Sequence, residues 1–183
     1  MTGQTVWRNL FHFSGIVIPI ACLLFGKGAA TTLSVLLFAA SAVVEVMRMQ
    51  GHLRLSFLEK NIKEKEKKGP TGSFFFLLGS TLTLVFFSER AAVPALLILA
   101  VSDPVSSLIG RHLGKTRLFG KSLEGTCAFF FSSLAILFFF SLSLYHMLLA
   151  GLAATATELF TRKPLDDNVS IPIVSAAVLS LFV

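Results

Sequence analysis

Charge is scarce in this chain, and the scarcity excludes an ordinary soluble domain. Only 14% of the 183 residues are charged, and those are clustered. A typical soluble domain carries about 25%. Cysteine is nearly absent too: Cys22 and Cys127 lie in separate apolar runs. That excludes a disulfide framework and a cysteine metal centre, and leaves two small core residues. Alternation of period two is missing, which favours membrane helices over a closed β-barrel. No linker and no internal repeat divides the chain. No polar mature domain follows the first apolar run, so Arg8, that run and Gly28-Ala29-Ala30 do not read as a signal peptide.

What the chain has is apolar sequence. It is 54% hydrophobic, with 19 Phe and a mean hydropathy of +0.78. The apolar runs are Phe11–Phe25, Ala29–Met47, Ser73–Phe87, Ala91–Ile109, Leu123–Leu144, Tyr145–Phe160 and Ile171–Val183. Crossing a bilayer takes about 20 residues, and a lone segment in lipid must satisfy its own backbone as a helix. The expected fold is all-α: a polytopic membrane helix bundle of about seven transmembrane helices, one integral domain over 1–183. Its polar loops fall at 51–72, 110–122 and 161–168.

The basic residues orient this bundle. With a cytoplasmic N-terminus, every one of the 16 lysines and arginines except Lys27 and Arg90 falls on the inner side. The positive-inside rule favours this arrangement over its inverse. Without a soluble module to display the charge, nucleic acid is not an expected partner. In the 51–72 insertion, Leu55, Leu58 and Ile62 share a helical face that suits the membrane interface. The lysines after them read either as a solvated charge run or as a dock for anionic head groups. The lack of a targeting extension leads to the expectation of a prokaryotic plasma membrane.

The acids follow the bases. Glu45, Asp103, Glu124, Glu158, Asp166 and Asp167 come from different segments yet all fall at the inner face, leaving Glu89 outside. Acids near a bilayer are costly and usually functional. Beside so much positive charge they suggest a site for a metal and phosphates. Ser102-Asp103-Pro104 predicts a helix break, with Pro104 opening a new helix and Ser102 or Asp103 capping it. Asp103 is then a candidate Mg²⁺ ligand. The bland alternative is a capped kink.

Gly110-Arg111-His112-Leu113-Gly114-Lys115 runs on to Gly120-Lys121-Ser122-Leu123-Glu124-Gly125. Five residues separate Gly114 from Gly120 where a P-loop has four, so the P-loop is rejected. The local physics remains. Glycines let backbone N–H groups approach phosphate, Lys121 brings a point charge, and Ser122 can cap a helix whose N-terminus attracts anions. An ordinary capped helix after a basic loop is the competing reading. Glu158 is i,i+4 to Arg162 and could simply pair with it. Asp166-Asp167-Asn168 reads either as a turn with a cap or as a metal or nucleotide site. Arg8 with His12, and Glu45 with Arg48, sit at inner helix ends, where such residues most often anchor. His52 and His146 read as structural.

Taken together these blocks resemble the CTP-dependent lipid kinases, the family of dolichol kinase, phytol kinase and the CTP-using diacylglycerol kinase. More distantly, they resemble phosphatidate cytidylyltransferase. The resemblance is carried by Arg8 with His12, Glu45, and Gly69-Pro70-Thr71-Gly72-Ser73-Phe74-Phe75. Its most specific parts are Asp103-Pro104 with Gly110-Arg111, Lys121 to Gly125, and Glu158 with Asp166-Asp167-Asn168 and Ile171-Pro172. The resemblance implies transfer of the γ-phosphate of CTP to a lipid alcohol (a polyprenol, a phytol-like prenol or diacylglycerol) with Mg²⁺ or another divalent cation. Asp103, Lys121, Glu124 and Asp166 are then the catalytic candidates. Gly110, Arg111, Gly114, Lys115, Lys121, Ser122, Gly125 and Asn168 are candidates for the nucleotide, and Asp103, Asp167 and Glu158 for the metal. Glu124 would orient Lys121 or join the metal's surroundings. Arg8, His12 and Glu45 are further candidates.

Three other readings compete. A cytidylyltransferase would release pyrophosphate and make a CDP-lipid, but Lys121 to Gly125 follows the kinase pattern more closely. A small cation-coupled transporter would need polar residues through the outer halves, which are almost bare of charge. A non-catalytic assembly subunit leaves the clustered carboxylates unexplained.

Overall fold

The computed structural model describes residues 10–52, 69–161 and 165–182. Arg8, the face of Leu55, Leu58 and Ile62, the lysine run after it, and Arg162 lie outside them. The fold is all-α, with one small hairpin added. Helical residues 10–14 lead through a turn into α1, Val17–Met49. There follow α2, Gly72–Phe86, and α3, Glu89–Leu97. A π-helical stretch, Ile98–Ser102, joins α3 to α4, Asp103–His112. Two-residue strands β1, Arg117–Leu118, and β2, Lys121–Ser122, precede α5, Leu123–Phe138. The chain closes with α6, Leu144–Phe160, and α7, Asp167–Leu179.

α1 is not a straight rod. Gly26 sits at φ 81°, ψ 163°, a conformation open to glycine alone at little cost. On one side of it, His12 packs edge-on against Phe76 near the start of α2, ring centroids 5.1 Å apart. On the other, Glu45 Oε1 accepts from Thr71 N at 2.9 Å, again at the start of α2. Lys27, between them, shares a groove with Leu84 and Val85 at the far end of α2. The chain therefore runs along α2, turns at Gly26 and comes back.

Hydroxyl and carboxylate caps start the later helices. Thr71, Ser88, Ser122, Ser143 and Asp166 each accept a backbone N–H from the first turn, satisfying donors that a helix start leaves open. α3 is the hub: Ala91 to Leu96 are all buried. Leu10–Met49 and Glu89–His112 are long and apolar enough to cross a membrane, while Gly72–Phe86, Leu123–Phe138, Leu144–Phe160 and Asp167–Leu179 are shorter apolar helices. Large apolar side chains are also left exposed, among them Phe25, Phe86, Phe138, Phe139 and Leu152. Apolar surface on this scale is a liability in water and suits contact with lipid.

Several expected boundaries move. The run Leu123–Leu144 is cut at Phe138, because Ser143 caps the next helix through His146 N. The last helix starts at Asp167, ahead of its apolar part. The break expected at Ser102-Asp103-Pro104 does not form: Ser102 and Asp103 are both right-handed helical, and Ser102 caps nothing. Pro104 lacks an N–H and crowds the carbonyl four residues back. The wider π-helical turn just before it lets the helix continue.

Candidate functional site

The helix ends meet around one cavity of about 360 Å³, within the usual range for a small-molecule site. α4 supplies one wall. Asp103, Ser106, Ser107, Gly110 and Arg111 all line it, and their spacing of three, four, seven and eight residues is a single helical face. Facing that wall are the hairpin, through Arg117, Gly120, Lys121 and Ser122, and the end of α6, through Glu158. His12, Gly72 and the Asp166-Asp167-Asn168 block close the rest.

Lys121 is the hub of the charge network. Its Nζ donates to Glu158 Oε1 at 2.6 Å and lies 3.7 Å from Asp167 Oδ2. The Glu158 side chain is 3% exposed. Its Oε1 also accepts from Ser106 Oγ at 3.4 Å, and its Oε2 is buried with no hydrogen-bond partner among the described residues. A carboxylate at a helix C-terminus faces the negative end of the macrodipole. Glu158 therefore depends on Lys121 for compensation. Asp103 lies 3.5 Å from His12 Nδ1, and Arg111 donates to Ser107 Oγ at 3.0 Å.

Three helix N-termini open on the cavity: α2 at Gly72, α5 at Ser122 and Gly125, α7 at Asp167 and Asn168. In α5 the donors are already used, Leu123 N by Thr116 O at 2.9 Å and Gly125 N by Ser122 Oγ at 3.1 Å, so the starts of α2 and α7, with Arg111, Arg117 and Lys121, make a surface suited to phosphate oxygens. The acids give the opposite chemistry on the same walls. Among the described residues no group of three His, Cys, Asp or Glu side chains stands close enough to hold a metal by itself. Mg²⁺ needs less than that: it is usually held by one or two carboxylates together with substrate phosphates. Asp103 and Asp167, oxygen donors on one cavity, fit that pattern.

Not every candidate meets here. Gly114, Lys115 and Glu124 are absent from the cavity wall. Glu124 Oε1 instead accepts the N–H groups of Lys115 and Thr116 at 3.0 and 3.2 Å. It fastens the loop before the hairpin, and the carboxylate that orients Lys121 is Glu158, from a different helix. The glycines also serve packing. A Cβ on Gly110 would lie 2.6 Å from Ser122 Oγ, and one on Gly125 would lie 2.9 Å from Ser106 O. Ser122 is buried beneath them and caps α5 through Gly125 N at 3.1 Å. Asp166 caps α7, accepting from Asn168 N at 3.1 Å and Asn168 Nδ2 at 2.7 Å.

Glu45 and Arg48 grip the Gly69-Pro70-Thr71 turn: Glu45 accepts from Thr71 N, and Arg48 donates to Gly69 O at 2.7 Å. They place Gly72 without lining the cavity. His112 is exposed, and His146 stacks on Phe182 with centroids 4.2 Å apart. Sequence reasoning missed Ser106, Ser107 and Arg117 as site residues, and it quoted Gly72 and Gly120 within motifs without assigning them to the site. The first two could have been found from their spacing to Asp103.

Comparison with known proteins adds three relatives. An uncharacterized protein of Rickettsia prowazekii is 30% identical over 180 residues, covering 91% of this chain and 88% of its own. An uncharacterized protein of Methanocaldococcus jannaschii is 26% identical over 180 residues, covering 97% and 93%. CTP-dependent diacylglycerol kinase 1 of Schizosaccharomyces pombe is 29% identical over 139 residues, covering 66% of this chain and 64% of that enzyme. No family model matches the chain, and no solved structure matches it.

Proposed function

We propose, on the premise that this chain belongs to one family with the Rickettsia prowazekii protein, that it is a membrane kinase transferring the γ-phosphate of CTP to a lipid alcohol. The observation that carries the reading is Lys121, fixed between Glu158 and Asp167 at the apolar bundle's polar end, where three helix N-termini converge. The partial similarity to a CTP-dependent diacylglycerol kinase supports the choice of donor and of a lipid acceptor. About seven spans and a cytoplasmic site complete the proposal.

In this reading the triphosphate enters the cavity from the cytoplasm. Lys121 and Arg111 neutralise its charge, and the N–H groups at the starts of α2 and α7 bind its oxygens. Mg²⁺ accompanying the nucleotide would be held by Asp103 and Asp167 and would supply further charge neutralisation. Glu158, steadied by Ser106, keeps the Lys121 ammonium pointed at the phosphates. The acceptor's tail stays among the helices while its hydroxyl reaches the same end. Asp103 or Asp166 takes the alcohol proton; both hydrogen bonds that Asn168 gives Asp166 fall on Oδ1. Holding the reactants in line and neutralising charge carry most of the rate.

The test is transfer of label from γ-³²P-CTP to lipid by the purified protein with Mg²⁺ and a mixed lipid extract. Labelled organic-soluble lipid phosphate is the expected product, and its chromatographic mobility identifies the alcohol. Label appearing in pyrophosphate, with none in lipid, would replace the kinase by a cytidylyltransferase.

A further inference from the structure

The turn between β1 and β2 is made of Phe119 and Gly120, both at positive φ, 48° and 89°. Two-residue hairpin turns of this kind strongly prefer Asn, Asp or Gly at both positions. An aromatic side chain in the left-handed region is strained. Here the strained residue is also exposed: Phe119 is 56% accessible. Its ring lies 5.1 Å from that of Phe160, itself 56% exposed. Phe160 is the last residue of the apolar helix α6. The hairpin therefore folds down to the level where the apolar helices end and does not project away from them.

Other exposed apolar side chains sit at that level. Leu113 directly follows α4, and Leu123 opens α5; they are 59% and 42% exposed. The same short stretch exposes Arg111, Lys115 and Arg117; from Leu113 to Ser122 it contains no acid, and the carboxylate of Glu124 beside it is held by the N–H groups of Lys115 and Thr116. Apolar and aromatic rings beside cations, at the end of a membrane helix, are the chemistry of an anionic lipid interface.

We infer that the β1–β2 hairpin is a membrane-interface anchor, its Phe119 tip seated with Phe160 among the acyl carbonyls of an anionic leaflet and Lys115 and Arg117 on the head groups. Lipid contact supplies the burial that offsets the strained conformation at Phe119. Gly120, beside the tip, lines the cavity and has nothing within 4 Å of the position a Cβ would take. The anchored hairpin therefore holds the cavity mouth at the head-group layer, where a lipid hydroxyl can enter sideways. The anchor rests on the reading of this chain as a membrane protein and not on the reaction assigned to it.

The experiment needs no catalytic turnover. Trp7 is the chain's one tryptophan, so Trp7→Phe with Phe119→Trp reports on the tip alone, and Trp7→Phe with Phe160→Trp is a second probe should the first fail to fold. Each protein is placed in nanodiscs of phosphatidylcholine with or without phosphatidylglycerol. With phosphatidylglycerol present, the emission should be blue-shifted and roughly halved by lipids brominated near the carbonyls, the depth at which indole rings settle. Adding Lys115→Ser and Arg117→Ser should return the signal to that of phosphatidylcholine alone. Emission of an aqueous indole, quenched by iodide but not by brominated lipid, would overturn the anchor. Equal quenching with and without phosphatidylglycerol would overturn its preference for an anionic surface.

Discussion

Lys121 and Asp103 stand for the two chemistries of the cavity, and their substitution separates site from scaffold. Lys121→Ala and Asp103→Asn should each abolish CTP-dependent phosphorylation while the purified proteins keep the wild-type elution profile in detergent. Retained turnover in a correctly inserted Asp103→Asn protein would remove its role. Glu158→Gln keeps the shape of the side chain and loses the charge that holds Lys121. It should cost about 10²–10³-fold in kcat, the scale of losing one preorganised electrostatic contact. The double variant with Lys121→Ala should bind CTP about as weakly as Lys121→Ala alone, because the two act as a unit. An additive double variant would separate them. The acids and the lysine were legible in the sequence because charge is conspicuous in an apolar chain. Their pairing was not. Glu124, three residues from Lys121, was the natural partner on paper. The hairpin instead carries Lys121 toward α6, and Glu124 turns to the N–H groups of Lys115 and Thr116. Ser106 and Ser107 were overlooked because serine is common in apolar helices and gains meaning only on the face of Asp103.

At the level of elements, the contact between α4 and the start of α5 sets the cavity's depth. Gly125→Ala would place a Cβ 2.9 Å from Ser106 O and 3.1 Å from Gly110 Cα. Both are backbone atoms that cannot swing aside. A loss of about 1–3 kcal/mol is expected, the usual cost of overpacking, and the midpoint of thermal unfolding in detergent should fall. Gly28→Ala is the control: it lies in α1 with nothing within 4 Å and should be neutral or stabilising by about 0.5–1 kcal/mol. If the two variants melted together, the close approach of α4 to α5 would be wrong. Element identity was readable because long apolar runs leave few options. Ends were less so. Ser143 and Asp166 start helices against the hydropathy trend, and the hairpin's two-residue strands carry no periodicity to detect. Pro104 was read as a break because sequence cannot show that the helix widens ahead of it.

For the whole molecule, the turn at Gly26 puts His12 and Glu45 at one end and Lys27 at the other. In a protein freed of Cys22 and Cys127, Lys27→Cys and Lys115→Cys should react with a membrane-impermeant maleimide from opposite sides of a sealed vesicle. Labelling of both from one side would refute the proposed topology. The π-helical stretch Ile98–Ser102 gives the molecule a further property, one of phase. A helix turns about 100° per residue, so the extra residue in the wide turn sets the azimuth of everything after it. Upstream, Ala91 to Leu96 are buried in the bundle, and close packing there fixes the azimuth of α3. Downstream, Asp103, Ser106, Ser107, Gly110 and Arg111 share one bearing. Deleting Leu99 alone would leave hydropathy, length and every named site residue almost untouched. It would still rotate that whole face away from Lys121, and the proposed phosphoryl transfer should then be lost as completely as on removing Asp103.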